Sequence, residues 1–261
     1  MILDELAAAA CLRVAQAKEK ISPAVLRKQA EQLPRKVDFP FEKALSGRGI
    51  HFICELKKAS PSKGIIAADF SYCRIAAEYE AAGASCISVL TEPTRFLGKD
   101  AYLREIRKTV SLPILRKDFT VDEYQIDEAK VMGADAVLLI CALLRPEELR
   151  RFLARCDELG ISALTEAHDE QELAMALDCG ARLVGVNNRD LRDFTVDLQN
   201  SVRLRHLAPP SVLFVAESGI RTAEDVTVLR QAGVNGVLVG ETLMRSPDKK
   251  AALAVLRGDG I

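Results

Sequence analysis

Residues 53–64 read Ile-Cys-Glu-Leu-Lys-Lys-Ala-Ser-Pro-Ser-Lys-Gly. An aliphatic run breaks into charge at Glu55 and Lys57, then opens into a Ser/Pro/Gly loop. Side chains two apart on a strand share a face, so this pair points one way from one strand end. Two ionised groups held there are costly unless they pair or do chemistry. Other aliphatic runs end in the same manner. Thr91-Glu92 closes one, Lys117-Asp118-Phe119 the next, and Glu166 a third. Asn187-Asn188-Arg189, Glu217-Ser218-Gly219 and Gly240-Glu241 close three more. One such charge would read as a solvated loop residue. Lysines, glutamates and an arginine converging on one rim would instead set a general acid beside a general base.

The elements that must hold these residues follow from periodicity. Eight aliphatic runs read as strands: 51–56, 85–90, 113–116, 136–140, 162–165, 183–186, 212–216 and 236–239. Amphipathic stretches between them, including 72–82, 122–132, 146–159, 169–179 and 223–232, read as helices. Several of these end in the same way, as at Gly83, Gly133, Gly180 and Gly233, where a left-handed residue closes a helix without strain. Near-continuous apolar strands alternating with helices predict a parallel sheet buried on both faces. Eight units in 261 residues predict a (β/α)8 TIM barrel. An open doubly wound sheet is the alternative, weakened by the lack of Gly-x-Gly-x-x-Gly after the first strand. Residues 1–48 do not fit the repeat and read as an N-terminal helical extension to a single barrel domain spanning 1–261. Ser22-Pro23 starts its second helix. The extension either plugs one barrel end or also covers the substrate.

In such barrels the strand C-terminal ends build the site, and the last two loops commonly bind phosphate. Gly219 and Gly240 stand in those loops, where the backbone can approach an anion closely. Both could equally be plain turn glycines. A formal net charge of -1 gives no broad attraction to nucleic acid or anionic membrane. The longest apolar run, 136–144, is too short to span a bilayer. Seven cysteines without a Cys-x-x-Cys pair, and no basic n-region, suggest free thiols in a reducing cytoplasm. His51, His168 and His206 are scattered, so no metal site is expected. Lys117 is open to two roles, a Schiff-base amine or an acid beside carboxylates.

The strand-end motifs together resemble the indole-3-glycerol phosphate synthase family. They are Glu55-Leu-Lys-Lys-Ala-Ser-Pro-Ser-Lys-Gly, Ser88-Val-Leu-Thr-Glu, Pro113-Ile-Leu-Arg-Lys-Asp-Phe, Leu164-Thr-Glu-Ala-His, Gly185-Val-Asn-Asn-Arg-Asp-Leu, Ala216-Glu-Ser-Gly-Ile and Gly240-Glu-Thr-Leu-Met-Arg. They fall in order at seven of eight strand ends. The resemblance implies pyrrole-ring closure of 1-(2-carboxyphenylamino)-1-deoxyribulose 5-phosphate with loss of CO2 and water. It implies Lys117 as the acid at the ketone, Glu166 as acid/base in dehydration, and Glu55 as organiser of the lysines. Lys57 and Arg189 would meet the anthranilate carboxylate, or for Lys57 the phosphate. Asn187, Glu217 and Ser218 would hold polar substrate atoms, and Phe96, Phe119, Leu138 and Ile140 would wall the aromatic ring. Ser60, Gly219, Gly240 and the Glu241 backbone would take the phosphate. No cofactor is implied, and the partner is a small sugar phosphate. A monomer or weak homodimer, with or without association with other tryptophan-pathway enzymes, is compatible.

Two other readings compete. A related sugar-phosphate barrel, such as phosphoribosylanthranilate isomerase, would need a Cys/Asp acid–base pair, and Cys54 has the parity of the helix-facing side. A non-catalytic phosphate-binding barrel would need the phosphate loops but not Glu55, Lys117 and Glu166.

Overall fold

A computed structural model describes residues 2–190 and 194–258. Leu191, the last residue of the Gly185 motif, lies outside them. Eight parallel strands are β1 (His51–Leu56), β2 (Cys86–Leu90), β3 (Ile114–Lys117), β4 (Ala136–Ile140), β5 (Ser162–Ala167), β6 (Leu183–Asn187), β7 (Leu213–Glu217) and β8 (Gly236–Val239). Each pairs with the next, and β8 returns to β1 to close the barrel. The closing register runs from His51 opposite Gly236 to Cys54 opposite Val239. The expected (β/α)8 barrel with its N-terminal helices is the fold found.

Alternation along each strand sorts its side chains into two layers. Ile53, Leu115, Leu138, Leu164, Val215 and Leu238 point inward and fill the barrel. Phe52, Cys54, Val137, Leu139, Val184 and Val237 point outward against the surrounding helices. Those helices are α4 (Tyr72–Ala81), α5 (Asp100–Thr109), α6 (Glu123–Met132), α7 (Pro146–Leu159), α8 (Glu170–Asp178), α9 (Gln199–Arg205), α10 (Ala223–Gln231), α11 (Glu241–Arg245) and α12 (Lys249–Arg257). Fully burying one anchor such as Phe152 stabilises by roughly 1.5–3 kcal/mol. Gly133 closes α6 at φ +92°, its N–H donating to the Lys130 carbonyl. Gly83, Gly180 and Gly233 also take positive φ at the ends of α4, α8 and α10.

Four strands run one or two residues further than apolar patterning predicts. β3, β5, β6 and β7 extend to Lys117, Ala167, Asn187 and Glu217. Ladder pairing carries on past the apolar residues: Ile140 lies opposite Glu166, Glu166 opposite Gly185, and Asn187 opposite Glu217. The functional side chains therefore stand on the sheet itself, which fixes them better than loops would.

The extension contains α1 (Ile2–Lys20), α2 (Pro23–Glu31) and α3 (Pro40–Leu45). Phe41 and Leu45 of α3 enter the interior cluster beside Ile53, Cys86, Ala136 and Leu183, near the strand starts. That end of the barrel is plugged. Lys36 seals the connection by an ion pair of 2.5 Å to buried Asp135. No described helix is long and apolar enough to cross a membrane.

Candidate active site

Inward parity at the strand ends brings Glu55, Lys117, Glu166, Asn187 and Glu217 together. Lys117 Nζ lies 3.6 Å from Glu166 Oε2 and 3.6 Å from Glu217 Oε2. Lys57 Nζ lies 2.5 Å from Glu55 Oε1, and the Ser88 hydroxyl donates to Glu55 Oε2 at 3.4 Å. Asn187 Nδ2 donates to Glu166 Oε1 at 3.5 Å, while its Oδ1 accepts from the Arg189 N–H.

Two glycines make room for these carboxylates. A Cβ on Gly185 would stand 2.2 Å from Glu217 Oε1. A Cβ on Gly240 would stand 2.6 Å from Glu55 Oε1 and 3.4 Å from Lys57 Nζ. Gly240 thus shapes the Glu55–Lys57 pair as well as the last loop.

Burial and charge split the cluster. Burial works against a charged Lys117, yet Glu217, Glu166 and Glu55 outweigh it and hold the ammonium above the usual lysine range. Burial raises Glu166, but Lys117, His168 and Asn187 together hold it below the usual carboxylate range. Burial dominates at Glu217 and pushes it up to about 8; Lys117 opposes the rise, and the repulsion of Glu166 and Glu55 adds to it. Two buried carboxyls facing one ammonium therefore divide into an ionised Glu166 and a protonated Glu217, one acceptor and one donor.

This division has a consequence for stability. Glu217 binds its proton more tightly folded than unfolded, so stability is greatest below about 4.5 for this group and declines as pH rises through about 8. Glu217→Gln, which keeps the shape and donor but cannot ionise, should flatten the decline in Tm between pH 6 and 9. A thermal-melt series across that range checks it, and an unchanged slope would mean Glu217 is ionised at neutral pH.

The cavity above the cluster is about 580 Å³, within the range of small-molecule sites. Lys57, Ser60, Phe96, Phe119, Asn187, Arg189, Ser218, Gly219, Gly240 and Glu241 line it, with Glu55, Lys117 and Glu217 at its floor. Phe96 and Phe119, after β2 and β3, have ring centroids 6.4 Å apart. Ile2, Leu3 and Leu6 of α1 join them. The extension thus works at both barrel ends, with α3 as plug and α1 as a wall of the mouth. On the β1, β7 and β8 side, Ser218 at φ +66° and Gly219 at φ +84° form a left-handed turn. Lys63, Arg221 and Arg245 line that side as well. Glu241 is part of the wall, its carboxylate paired with Arg245 Nε at 3.0 Å.

Some residues stand elsewhere than the sequence reading put them. Leu138 and Ile140 do not line the cavity; they lie in the interior cluster beneath Phe119 and Leu3 and act as support for that wall. Their parity is inward, but Phe119 and Leu3 pack against that cluster and line the cavity in their place. Thr91, Glu92, Asp118 and Asn188 turn away from the cavity. Asp118 accepts from Thr91 Oγ1 at 2.8 Å and from Arg13 at 2.6 Å. Glu92 accepts from the backbone N–H groups of Thr94, Arg95 and Phe96. Asn188 ties the Ser218 carbonyl to Ser201 of α9. These four brace the loops that carry Phe96, Phe119 and Ser218.

The sequence reading passed over Ile2, Leu3 and Leu6, the cations Lys63, Arg221 and Arg245, and His168. Proximity to the turn glycines was a usable signal for Arg221 and Arg245. His168 had a sharper signal, standing two residues after Glu166 on the same strand-end face. Its Nε2 lies 3.4 Å from Glu166 Oε1 and its Nδ1 3.1 Å from Glu172 Oε2. Burial opposes its charge, but Glu172 and Glu166 raise it to about 9. No group of three or more His, Cys, Asp or Glu suited to a metal occurs among the described residues.

A closed eight-stranded parallel barrel, with an ammonium held between two carboxyls at its strand ends, defines a (β/α)8-barrel acid–base enzyme. The family model for indole-3-glycerol phosphate synthase matches residues 3–256. The indole-3-glycerol phosphate synthase of Ruminiclostridium cellulolyticum is 55% identical over 258 residues, 99% of either chain. That of Lachnoclostridium phytofermentans is 49% identical over 268 residues, covering 98% of this chain and 99% of that one. A crystal structure of 3-hexulose-6-phosphate synthase shares the fold at a TM-score of 0.65 and 15% identity, covering 80% of this chain and 99% of that one. The chain belongs to the indole-3-glycerol phosphate synthase family, and so to the carboxy-lyases of tryptophan biosynthesis.

Proposed function

We propose that the cavity binds 1-(2-carboxyphenylamino)-1-deoxyribulose 5-phosphate and converts it to indole-3-glycerol phosphate, CO2 and water. The observation that carries this reading is Lys117, set 3.6 Å from both Glu166 and Glu217 between a basic turn and an aromatic wall. Ser60, Gly219, Gly240 and the Glu241 N–H take the phosphate, with Lys63, Arg221 and Arg245 supplying charge. Phe96, Phe119 and the α1 residues cover the anthranilate ring, and Arg189 or Lys57 meets its carboxylate.

Lys117 donates a proton to the ketone oxygen as the aromatic carbon attacks. The carbon–carboxyl bond then breaks, and its electron pair restores the ring. Glu166 removes a proton during dehydration, and the hydroxyl formed from the ketone leaves as water after protonation by Lys117 or Glu217. Glu55 orients Lys57, 2.5 Å away, toward the substrate. Asn187, Ser218 and Glu217 hold the hydroxyls. No step calls for redox chemistry or a metal. The enzyme acts in the cytoplasm as a monomer or weak homodimer, alone or beside other tryptophan-pathway enzymes.

Two rival readings fit less well. Cys54 faces the helices, and burial pushes its thiol up to about 12, so it cannot serve as an isomerase acid in the cavity. A pure binding module would gain nothing from burying Glu166 and Glu217, which costs stability.

The direct test mixes purified protein with the substrate and follows indole fluorescence without added metal or nucleotide. Folded protein that forms no indole would overturn the reading. Leu6→Ala tests the α1 wall. Removing three carbons from an apolar contact should raise KM roughly three- to tenfold at nearly unchanged kcat. An unchanged KM would leave α1 outside the bound complex.

A further inference from the structure

We propose that Arg13 is a positioning residue for the aromatic half of the site, clamping α1 to the two turns that present Phe96 and Phe119. The inference rests on the reaction proposed above and adds to it a residue that assembles the ring-binding wall.

That wall comes from three separate stretches of chain. Phe96 follows β2, Phe119 follows β3, and Leu3 and Leu6 stand on α1. Each aromatic turn is built on one buried carboxylate. Glu92 Oε1 accepts from the Thr94 N–H at 2.8 Å, and Oε2 accepts from the N–H groups of Arg95 at 2.8 Å and Phe96 at 3.0 Å. The next residue, Leu97, sits at φ +55°, a conformation that leucine adopts only where its surroundings impose it. Asp118 Oδ1 accepts from the Phe119 N–H at 2.8 Å, and its Oδ2 accepts from the Thr91 hydroxyl. What moves either carboxylate therefore moves a ring.

Arg13 meets both of them. Its Nη2 lies 2.6 Å from Asp118 Oδ1 and its Nη1 3.5 Å from Glu92 Oε1. The planar guanidinium suits this task, since two nitrogens of one rigid group reach two carboxylates and fix their separation. Arg13 comes seven residues after Leu6, on the same face of α1. Leu6, Ala10 and Val14 are the buried residues of that helix. The clamp thus sets where Leu3 and Leu6 stand relative to the two rings. A second pair joins the same loop to α1, Arg95 Nη2 to Glu5 Oε2 at 3.0 Å, but both partners are more than half exposed and it adds little. Arg13 is absent from the cavity lining. It borders a separate groove of about 370 Å³ with Val14, Thr91 and Asp118. Its action on the substrate ring passes through Phe96, Phe119 and Leu6.

Kinetics and fragment binding test the clamp. Arg13→Ala should raise KM roughly tenfold while kcat stays within about threefold, because the wall loosens and Lys117 keeps its place. Arg116, whose Nη2 lies 3.8 Å from Asp118 Oδ2, remains as a counter-charge in the variant. Titrated into Arg13→Ala, 2-aminobenzoate should bind at least about fivefold more weakly than to wild type, and inorganic phosphate within about twofold, because only ring contacts are loosened. General loosening of the fold would weaken both. Lys18→Ala is the control. It removes another α1 anchor, a 2.6 Å ion pair to Asp122 that reaches neither aromatic turn. Its KM should stay within about twofold of wild type. Arg13→Lys serves if Arg13→Ala does not fold. One ammonium cannot span both carboxylates, so KM should still rise about threefold. An unchanged KM in the Arg13 variant, equal weakening of the two fragments, or an equal KM rise in Lys18→Ala overturns the clamp alone. Wild-type protein that makes no indole overturns the reaction instead, and the fragment titrations still decide the clamp.

Discussion

Lys117→Met should abolish indole formation while leaving substrate binding within a few-fold of wild type. Methionine keeps the length and most of the packing but can neither donate a proton nor carry charge. General-acid catalysis contributes about 10²–10⁴-fold, and loss of that order is expected in kcat. Binding should survive because Ser60, Lys63, Arg221 and Arg245 are untouched, as are Phe96 and Phe119. The same substitution removes the ammonium that faces Glu166 and Glu217. One partner of a buried charge cluster is then missing, which is destabilising unless the carboxyls take up protons. The variant should therefore lose more Tm relative to wild type at pH 9 than at pH 6. Steady-state fluorescence gives kcat, calorimetric titration gives Kd, and melts at the two pH values give the third result. Turnover near wild type would move the acid elsewhere, first to Lys57, which sits 2.5 Å from Glu55.

The barrel was legible because its strands are apolar on both faces and its helices stop at glycine. Those signals are local and depend on chain geometry alone. Strand ends were less legible. Lys117, Asn187 and Glu217 look like loop residues by polarity, yet each pairs within the ladder. Parity then decides which rim residues face the cavity. It put Glu55, Lys57, Lys117, Glu166 and Glu217 in the cluster and turned Thr91, Asp118 and Asn188 outward. What parity cannot give is height: Leu138 and Ile140 have the correct face but lie under Phe119 and Leu3. Nor can it give contacts made across the chain. Ile2, Leu3 and Leu6 reach the cavity because α1 is tied down by Arg13 to Asp118, 105 residues away, at 2.6 Å. His168 shares the strand-end face of Glu166, a signal that the scatter of the three histidines hides, and only the fold shows carboxylates at both of its nitrogens.

Glu166→Gln should separate the two bond-breaking events of the reaction. Glutamine occupies the same volume and can still accept from Asn187 Nδ2 through its carbonyl. It can take no proton. Glu166 is the carboxylate that Lys117, His168 and Asn187 hold ionised against its burial, so it is the base of the cluster. Ring closure and loss of CO2 depend on Lys117 and the apolar wall, and both should proceed in the variant. Dehydration needs the base, so its rate should fall by about 10²–10⁴-fold. Mixing enzyme and carboxyl-labelled substrate in a rapid-quench apparatus should then give an early release of about one CO2 per site, ahead of any indole fluorescence, as expected when a later step limits turnover. If CO2 and indole instead slow together and stay in step, Glu166 acts before the carbon–carboxyl bond breaks. The acid–base assignment of Lys117 and Glu166 would then have to be exchanged.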